Sequence, residues 1–177
     1  QILKRYCAVF EGNFVNWMGA ALVKARSLEA RYAASENLLV EITEDHPGLL
    51  RSFASELGCE PDAIDYQSAS SAIRLGRDHV ARGLGVECLA LMASIESVST
   101  IFVPWMERVA SDLGVSRHQY LDIHGEADVR HAQQFLWAVS KEYKEYEDGE
   151  QRLRDTVQMT ILFFEKIFSA SNETKIG

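Results

Sequence analysis

Two histidines and an aspartate are spaced so that one helix can present all three to a metal ion. His124, Asp128 and His131 follow one another at intervals of four and three residues. This spacing places them within roughly 60° of arc on one helical face. Imidazole nitrogens and carboxylate oxygens are typical ligands of transition metals. The apolar neighbours Ile123 and Phe135 indicate that this face points inward, although a polar surface stripe would show the same spacing.

A single carboxylate interrupts an otherwise apolar or small-residue segment, 89–98. Glu96 is the only charged residue in that segment. Burying an unpaired carboxylate is costly, so Glu96 should face a cation or a hydrogen-bond donor. Metal coordination would satisfy it. An ion pair with Arg74 or Arg77 is the alternative.

A third source of ligands lies near the end of an earlier amphipathic segment. Glu41 ends the apolar repeat, and His46 follows just beyond it, in a position to fold back towards the same centre. Glu36, Glu44 and Asp45 are competing carboxylates that are expected to be exposed. The sequence leaves open whether Glu44 or Glu36 takes the place of Glu41.

Together these segments offer three imidazoles and three carboxylates. Such a mixed nitrogen and oxygen set suits two ferrous ions, or manganese, with positions left for dioxygen. Zinc fits less well because it generally takes four ligands and has no redox chemistry. A ferritin-like site is disfavoured because the chain contains no Glu-x-x-His motif.

The elements that would position these residues are all predicted to be helices. Only 3 prolines and 11 glycines occur among 177 residues, and no alternating run is long enough to predict a strand. Helical patterns cover residues 28–45, 47–57, 68–82, 87–113, a segment opening at Ser116, and 153–168. The sequence therefore predicts one all-α domain, 1–177, with about six or seven helices.

Charge and cysteine content limit the partners. Asp and Glu total 26 against 18 Lys and Arg, giving a net charge of −8, which disfavours nucleic acids and anionic membranes. Cys7, Cys59 and Cys88 show no CxxC spacing, and no signal-peptide pattern follows Lys4 and Arg5. A cytoplasmic protein with reduced thiols is expected. The weakly charged stretch 88–105 is interpreted as a buried helix and not as a membrane span.

The sequence resembles the haem-oxygenase-like diiron oxidases and oxygenases. The resemblance is carried by segments 37–41, 46–53 and 120–132 and by the helix that contains Glu96. The resemblance extends over roughly residues 32–135, and its most specific part is the His124, Asp128, His131 spacing with the Tyr-Leu before it and the Ala after it. It implies a haem-oxygenase-like seven-helix bundle, often a homodimer, that binds two Fe(II) per chain and uses dioxygen as co-substrate.

The same resemblance implies a division of ligands and a class of reaction. One iron would be held by Glu41, His46 and either His124 or His131, and the other by Glu96, Asp128 and the remaining histidine, with one carboxylate bridging. The family's reactions include fatty-acid decarboxylation, fragmentation of amino acids and N-oxygenation, and they imply a peroxo-diferric intermediate and, where needed, an external reductant. An oxidoreductase in the biosynthesis of a small metabolite is expected.

The resemblance implies a small, carboxylate-bearing substrate. One derived from an amino acid is preferred, because segments 12–21 and 93–100 are rich in small and polar residues, whereas a long alkyl chain needs larger apolar walls. A medium-chain fatty acid is the alternative. Arg74 is a candidate for binding a substrate carboxylate, and Trp17 and Tyr120 are further candidate contacts. For Trp17, core packing is the favoured alternative.

Other functions predict other features. A metal-free, thiaminase-like enzyme needs a nucleophilic cysteine, for which Cys88 beside Glu87 is the candidate, and a cofactorless oxidase needs an arginine-rich pocket. A helical interaction protein with an acidic surface requires the His124, Asp128 and His131 face to be exposed, and it leaves Glu96 unexplained.

Overall fold

The computed structural model describes residues 1–115 and 118–169, and this part of the chain forms helices and turns without a strand. It contains eight α-helices and a short 3-10 helix, Tyr143–Glu145. The α-helices are α1 (Ile2–Phe10), α2 (Phe14–Lys24), α3 (Leu28–Thr43), α4 (His46–Glu56), α5 (Ala63–Arg82), α6 (Gly85–Asp112), α7 (Gln119–Glu142) and α8 (Gly149–Phe168). The predicted all-α fold is confirmed.

The observed helices differ from the predicted ones mainly at their starts. Residues 2–24 form α1 and α2, which raises the number above the six or seven expected. Helix α5 begins earlier than predicted because Asp62 caps it: the Asp62 carboxylate accepts from the Ile64 and Asp65 N–H groups at 2.8 and 3.0 Å. Ser116, the predicted start of the fifth helix, lies outside the described residues, and α7 begins after His118, whose Nδ1 accepts from the Tyr120 N–H at 3.0 Å.

Helix α6 is the central element of the fold and packs most extensively against α7, with α2 and α8 also against it. By length and composition alone it could cross a membrane, but 67% of its most apolar window is buried within the protein. This burial agrees with the prediction of a core helix. The aromatic core beside it includes Trp17, which packs edge-on against Phe163 at 5.8 Å and directly on the α5 backbone at Gly76, where a Cβ would lie 2.7 Å from the indole.

The end of α7 is anchored by one fully buried carboxylate. Glu142 accepts hydrogen bonds from the N–H groups of Arg26 and Ser27, each at 2.8 Å, and from the Tyr146 hydroxyl at 2.9 Å. The start of α6 approaches so closely that a Cβ on Gly85 would lie 2.6 Å from the Glu142 Oε1. Glu142 therefore joins the ends of three elements, α7, the α2–α3 turn and α6.

Candidate metal centre

Four helices bring six potential ligands into the interior. Helix α3 supplies a glutamate, α4 a histidine at its first position, α6 a glutamate, and α7 two histidines and an aspartate. All six are at most 7% exposed: Glu41, His46, Glu96, His124, Asp128 and His131. The predicted ligands therefore lie together in the core, and the alternative that the His and Asp face of α7 is a surface stripe is wrong.

The corner between α3 and α4 brings His46 back to Glu41. Asp45 adopts a left-handed backbone, φ 50°, and its carboxylate accepts from the Gly48 N–H at 3.2 Å, which starts α4 at His46. His46 Nδ1 lies 2.8 Å from Glu41 Oε1, and its Nε2 lies 3.2 Å from Glu44 Oε2. Burial lowers the pKa of His46, but hydrogen bonds to Glu41 and Glu44 outweigh it and raise the pKa overall.

The structure distinguishes Glu41 from the two alternative ligands, Glu44 and Glu36, by their positions. Glu41 is buried beside the other ligands, whereas Glu44 is exposed and reaches the cluster only through the outer nitrogen of His46. Glu36 lies a turn and a half before Glu41 and accepts instead from the Tyr32 hydroxyl at 2.6 Å. Glu41 is thus the ligand candidate, and Glu44 is suited to orient the His46 ring.

The imidazole of His124 is held in one orientation by its own helix. Its Nδ1 lies 2.8 Å from the Tyr120 carbonyl oxygen, which can only accept, so Nδ1 carries the proton and Nε2 keeps its lone pair. Burial and the neighbouring His46, whose ring centroid is 4.5 Å away, lower the pKa of His124 to about 4. The neutral ring with a free nitrogen is the form that binds metals.

Three buried polar atoms elsewhere in the cluster have no hydrogen-bond partner: Glu96 Oε1, Asp128 Oδ2 and His131 Nδ1. The Glu96 and His131 atoms are 3.7 Å apart. Burial and then the charge of Glu41 raise the pKa of Glu96 well above its usual value. Burial and then the charge of Glu96 raise the pKa of Asp128 to about 8. Burial lowers the pKa of His131.

The proposed arginine partners of Glu96 are elsewhere. Arg77 donates to the Asn13 amide oxygen at 3.0 Å, and Arg74 is exposed on α5. Among the described residues, the ion pairs of 4 Å or less made by Glu96 involve His131 alone. The ion-pair alternative for Glu96 is therefore wrong, and its buried carboxylate is left for another cation.

The donor atoms fall into two groups that share one residue. The first consists of Glu41, His46 and His124, and the second of Glu41, Glu96 and His131; within each group the potential ligand atoms lie within 4.8 Å of one another. Asp128 is close enough to Glu96 and His131 for their charges to affect its pKa. Buried, unpartnered nitrogen and oxygen donors of this kind fit ferrous iron well.

A cavity of about 40 Å³ adjoins the cluster, room for a few water-sized groups. Its walls combine ligand residues with apolar side chains from α1, α2, α4 and α6, namely Tyr6, Phe10, Phe14, Leu50 and Ile95. The contribution of α1 was not predicted from the sequence, whereas segment 12–21, which contains Phe14, was expected to border the substrate. The signal for α1 is the four-residue spacing of Tyr6 and Phe10, which is typical of a buried helical face.

Of the three predicted substrate contacts, Tyr120 alone lines this cavity. Trp17 lies in the aromatic core against Phe10 and Phe163. Arg74 points away on the exposed side of α5. The predictions that Trp17 and Arg74 contact the substrate are corrected accordingly. The Trp17 indole packs in the core and does not line the cavity. Arg74 lies on the face of α5 that is exposed to solvent.

The buried cysteines do not offer a nucleophile. Burial raises the pKa of Cys88 to about 11 and that of Cys7 to about 12. A reactive cysteine requires the opposite, an accessible thiol with a lowered pKa. Cys88 also lies outside the cavity. The thiaminase-like alternative therefore has no support at this position.

Alkylation with iodoacetamide is expected to modify Cys59 first. Cys59 is partly exposed, whereas Cys7 and Cys88 are buried and almost entirely protonated at about pH 8. Both should react at least about a hundredfold more slowly, because the thiolate is the nucleophile. Peptide mass spectrometry measures each rate, and in denaturing urea the three rates should converge. Fast labelling of Cys88 in the folded protein would contradict this burial.

An all-α fold with a buried cluster of histidines and carboxylates is typical of helical-bundle metalloproteins. A protein-family model described as iron-containing redox enzyme matches residues 4–165, so the chain belongs to this family of haem-oxygenase-like iron enzymes. The resemblance seen in the sequence motifs is confirmed. The comparison with curated proteins gave no match.

Proposed function

We propose that this iron-containing redox enzyme is a non-haem diiron oxidase or oxygenase that uses dioxygen on a small, carboxylate-bearing, amino-acid-derived metabolite. The observation that carries the proposal is the set of unpartnered buried donors, Glu96 Oε1, Asp128 Oδ2 and His131 Nδ1. Hydrogen bonding within the protein satisfies none of them, and a cation would satisfy all three.

The two donor groups support one iron in each. Glu41, His46 and His124 would hold the first, and Glu96, Asp128 and His131 the second. Glu41 belongs to both groups, which makes it the candidate bridging carboxylate. The geometry favours His124 for the first iron because its ring centroid lies 4.5 Å from that of His46. It favours His131 for the second because His131 Nδ1 lies 3.7 Å from Glu96 Oε1.

Bound iron would supply the electrons that reduce dioxygen, and the protein prepares the ligands for it. Glu96 and Asp128 hold protons more tightly than ordinary carboxyl groups, so metal binding must release protons from their oxygens. The Tyr120 carbonyl fixes the His124 ring, and the Glu44 carboxylate fixes the His46 ring. Phe10, Leu50 and Ile95 exclude bulk water from the reacting side.

Metal analysis after anaerobic loading with ferrous iron tests the proposal. We expect close to two irons per chain in the unaltered protein. Glu41→Gln should reduce this to fewer than one, because the residue is shared by both groups. Glu36→Gln is the matched control on the same helix and should leave both irons bound. Failure of the unaltered protein to take up iron would refute the proposal.

A further inference from the structure

An ion pair stands at the mouth of the cavity. Three lining residues, Glu11, Phe14 and Pro47, are partly exposed and mark where the cavity approaches solvent. Glu11 Oε1 accepts from Arg51 Nε at 2.5 Å. Arg51 lies one helical turn beyond Pro47 on α4 and so projects on the same side. The metal cluster does not use either residue.

The two partners are buried to very different extents. The Glu11 side chain is 18% exposed, whereas that of Arg51 is 66% exposed. Among the described residues, Arg51 is the partner of Glu11 in an ion pair of 4 Å or less. The Arg51 side chain can therefore move into solvent with little loss of free energy. The Glu11 carboxylate, which is less exposed, then needs another cation as its partner.

We propose that Glu11 and Arg51 bind the zwitterionic head of a free α-amino acid, with its side chain directed into the cavity. The substrate ammonium takes the position beside Glu11, and the substrate carboxylate pairs with the displaced Arg51 guanidinium. This proposal rests on the proposed function, because the cavity leads to the candidate iron ligands. The apolar residues Phe10, Phe14 and Leu50 line the same cavity as those ligands and suit a short apolar side chain.

The exchange of ion pairs predicts an order of affinities. An amino acid replaces the partners of both residues, so no charge is left unpaired. A simple amine pairs with Glu11 and releases Arg51, which water solvates readily. A simple carboxylate draws Arg51 away and leaves Glu11 unpaired in a mostly buried position, which is the costly case. Amino acids should bind most tightly and simple carboxylates most weakly.

Isothermal titration calorimetry on the metal-free and Mn(II)-loaded protein tests this order without requiring turnover. The matched probes are L-norvaline, butylamine and valerate, which share one carbon chain and differ only in the head group. The twenty standard L-amino acids are then screened by thermal shift. Glu11→Gln and Arg51→Gln should each weaken amino-acid binding by about tenfold to a hundredfold, the usual effect of losing a charged hydrogen bond. The controls are Glu150→Gln and Arg154→Gln, which remove an exposed ion pair of 2.6 Å on α8 and should leave binding unchanged.

The outcomes separate this proposal from the proposed function. Norvaline binding that exceeds valerate binding and falls in both variants supports the zwitterion site. Valerate binding as tight as norvaline, an unaffected Glu11→Gln variant, or no binding by any amino acid overturns it. Iron uptake is measured on the same preparations. Uptake of two irons without amino-acid binding would contradict the zwitterion site alone. Amino-acid binding without iron uptake would contradict only the diiron function. Far-UV circular dichroism verifies that each variant is folded.

Discussion

Glu96→Met is expected to abolish one of the two proposed iron sites while raising the free energy of unfolding of the metal-free protein by about 1–3 kcal/mol. Glu96 is 3% exposed, and its Oε1 has no hydrogen-bond partner. Methionine has a similar length, packs well in an apolar helix and removes the unpartnered oxygen. The opposite signs of the two effects identify a residue retained for function at the expense of stability.

Urea denaturation and metal analysis, each with and without ferrous iron, measure the two effects. Glu107→Met is the matched control, since Glu107 is exposed on the same helix, α6. It should change the free energy of unfolding by less than about 0.5 kcal/mol and leave iron binding intact. If Glu96→Met destabilises the metal-free protein by several kcal/mol, Glu96 has a structural partner and the ligand assignment fails.

Glu142→Ala is expected to lower the free energy of unfolding by about 3 kcal/mol or more. The substitution leaves two backbone N–H groups in partly buried hydrogen bonds, those of Arg26 and Ser27, and the Tyr146 hydroxyl without their acceptor. Burial and then the hydrogen bond to Glu142 raise the pKa of Tyr146 to about 12. The variant should lower this pKa.

Urea denaturation measures the stability change, and ultraviolet titration of the tyrosines follows the Tyr146 pKa. Tyr146→Phe removes one of the three hydrogen bonds and should have roughly a third of the effect. Glu147→Ala, on the exposed side of the same turn, is the control and should be nearly neutral. Equal effects of Glu142→Ala and Glu147→Ala would show that the hydrogen bonds of the Glu142 carboxylate do not stabilise the fold.

The α7 ligands could be predicted because one helix carries all three. Helical periodicity alone fixes the relative directions of His124, Asp128 and His131, so no knowledge of distant contacts is needed. Glu96 was predictable for a different reason. A lone carboxylate in an apolar run must have a partner, whatever the topology.

Features that depend on contacts between distant segments could not be predicted from local sequence patterns. The lining of the cavity by α1 results from packing against α4 and α5; the spacing of Tyr6 and Phe10 indicates a buried face but does not specify its neighbours. Arg74 illustrates the same difficulty, since its side chain is right for carboxylate binding but the position of α5 directs it to solvent. The sharing of Glu41 between two donor groups also required the folded arrangement of α3, α6 and α7.

The proposed iron sites both depend on one turn, in which Asp45 has a left-handed backbone. Among the described residues other than glycine, Asp45 is the residue with positive φ, and it separates Glu41 from His46 by a reversal of the chain. Asparagine and glycine adopt this conformation readily, whereas β-branched residues strongly resist it. A saturation library at position 45 should therefore retain iron binding with Gly and Asn and lose it with Val, Ile and Thr, although residue 45 need not contact a metal.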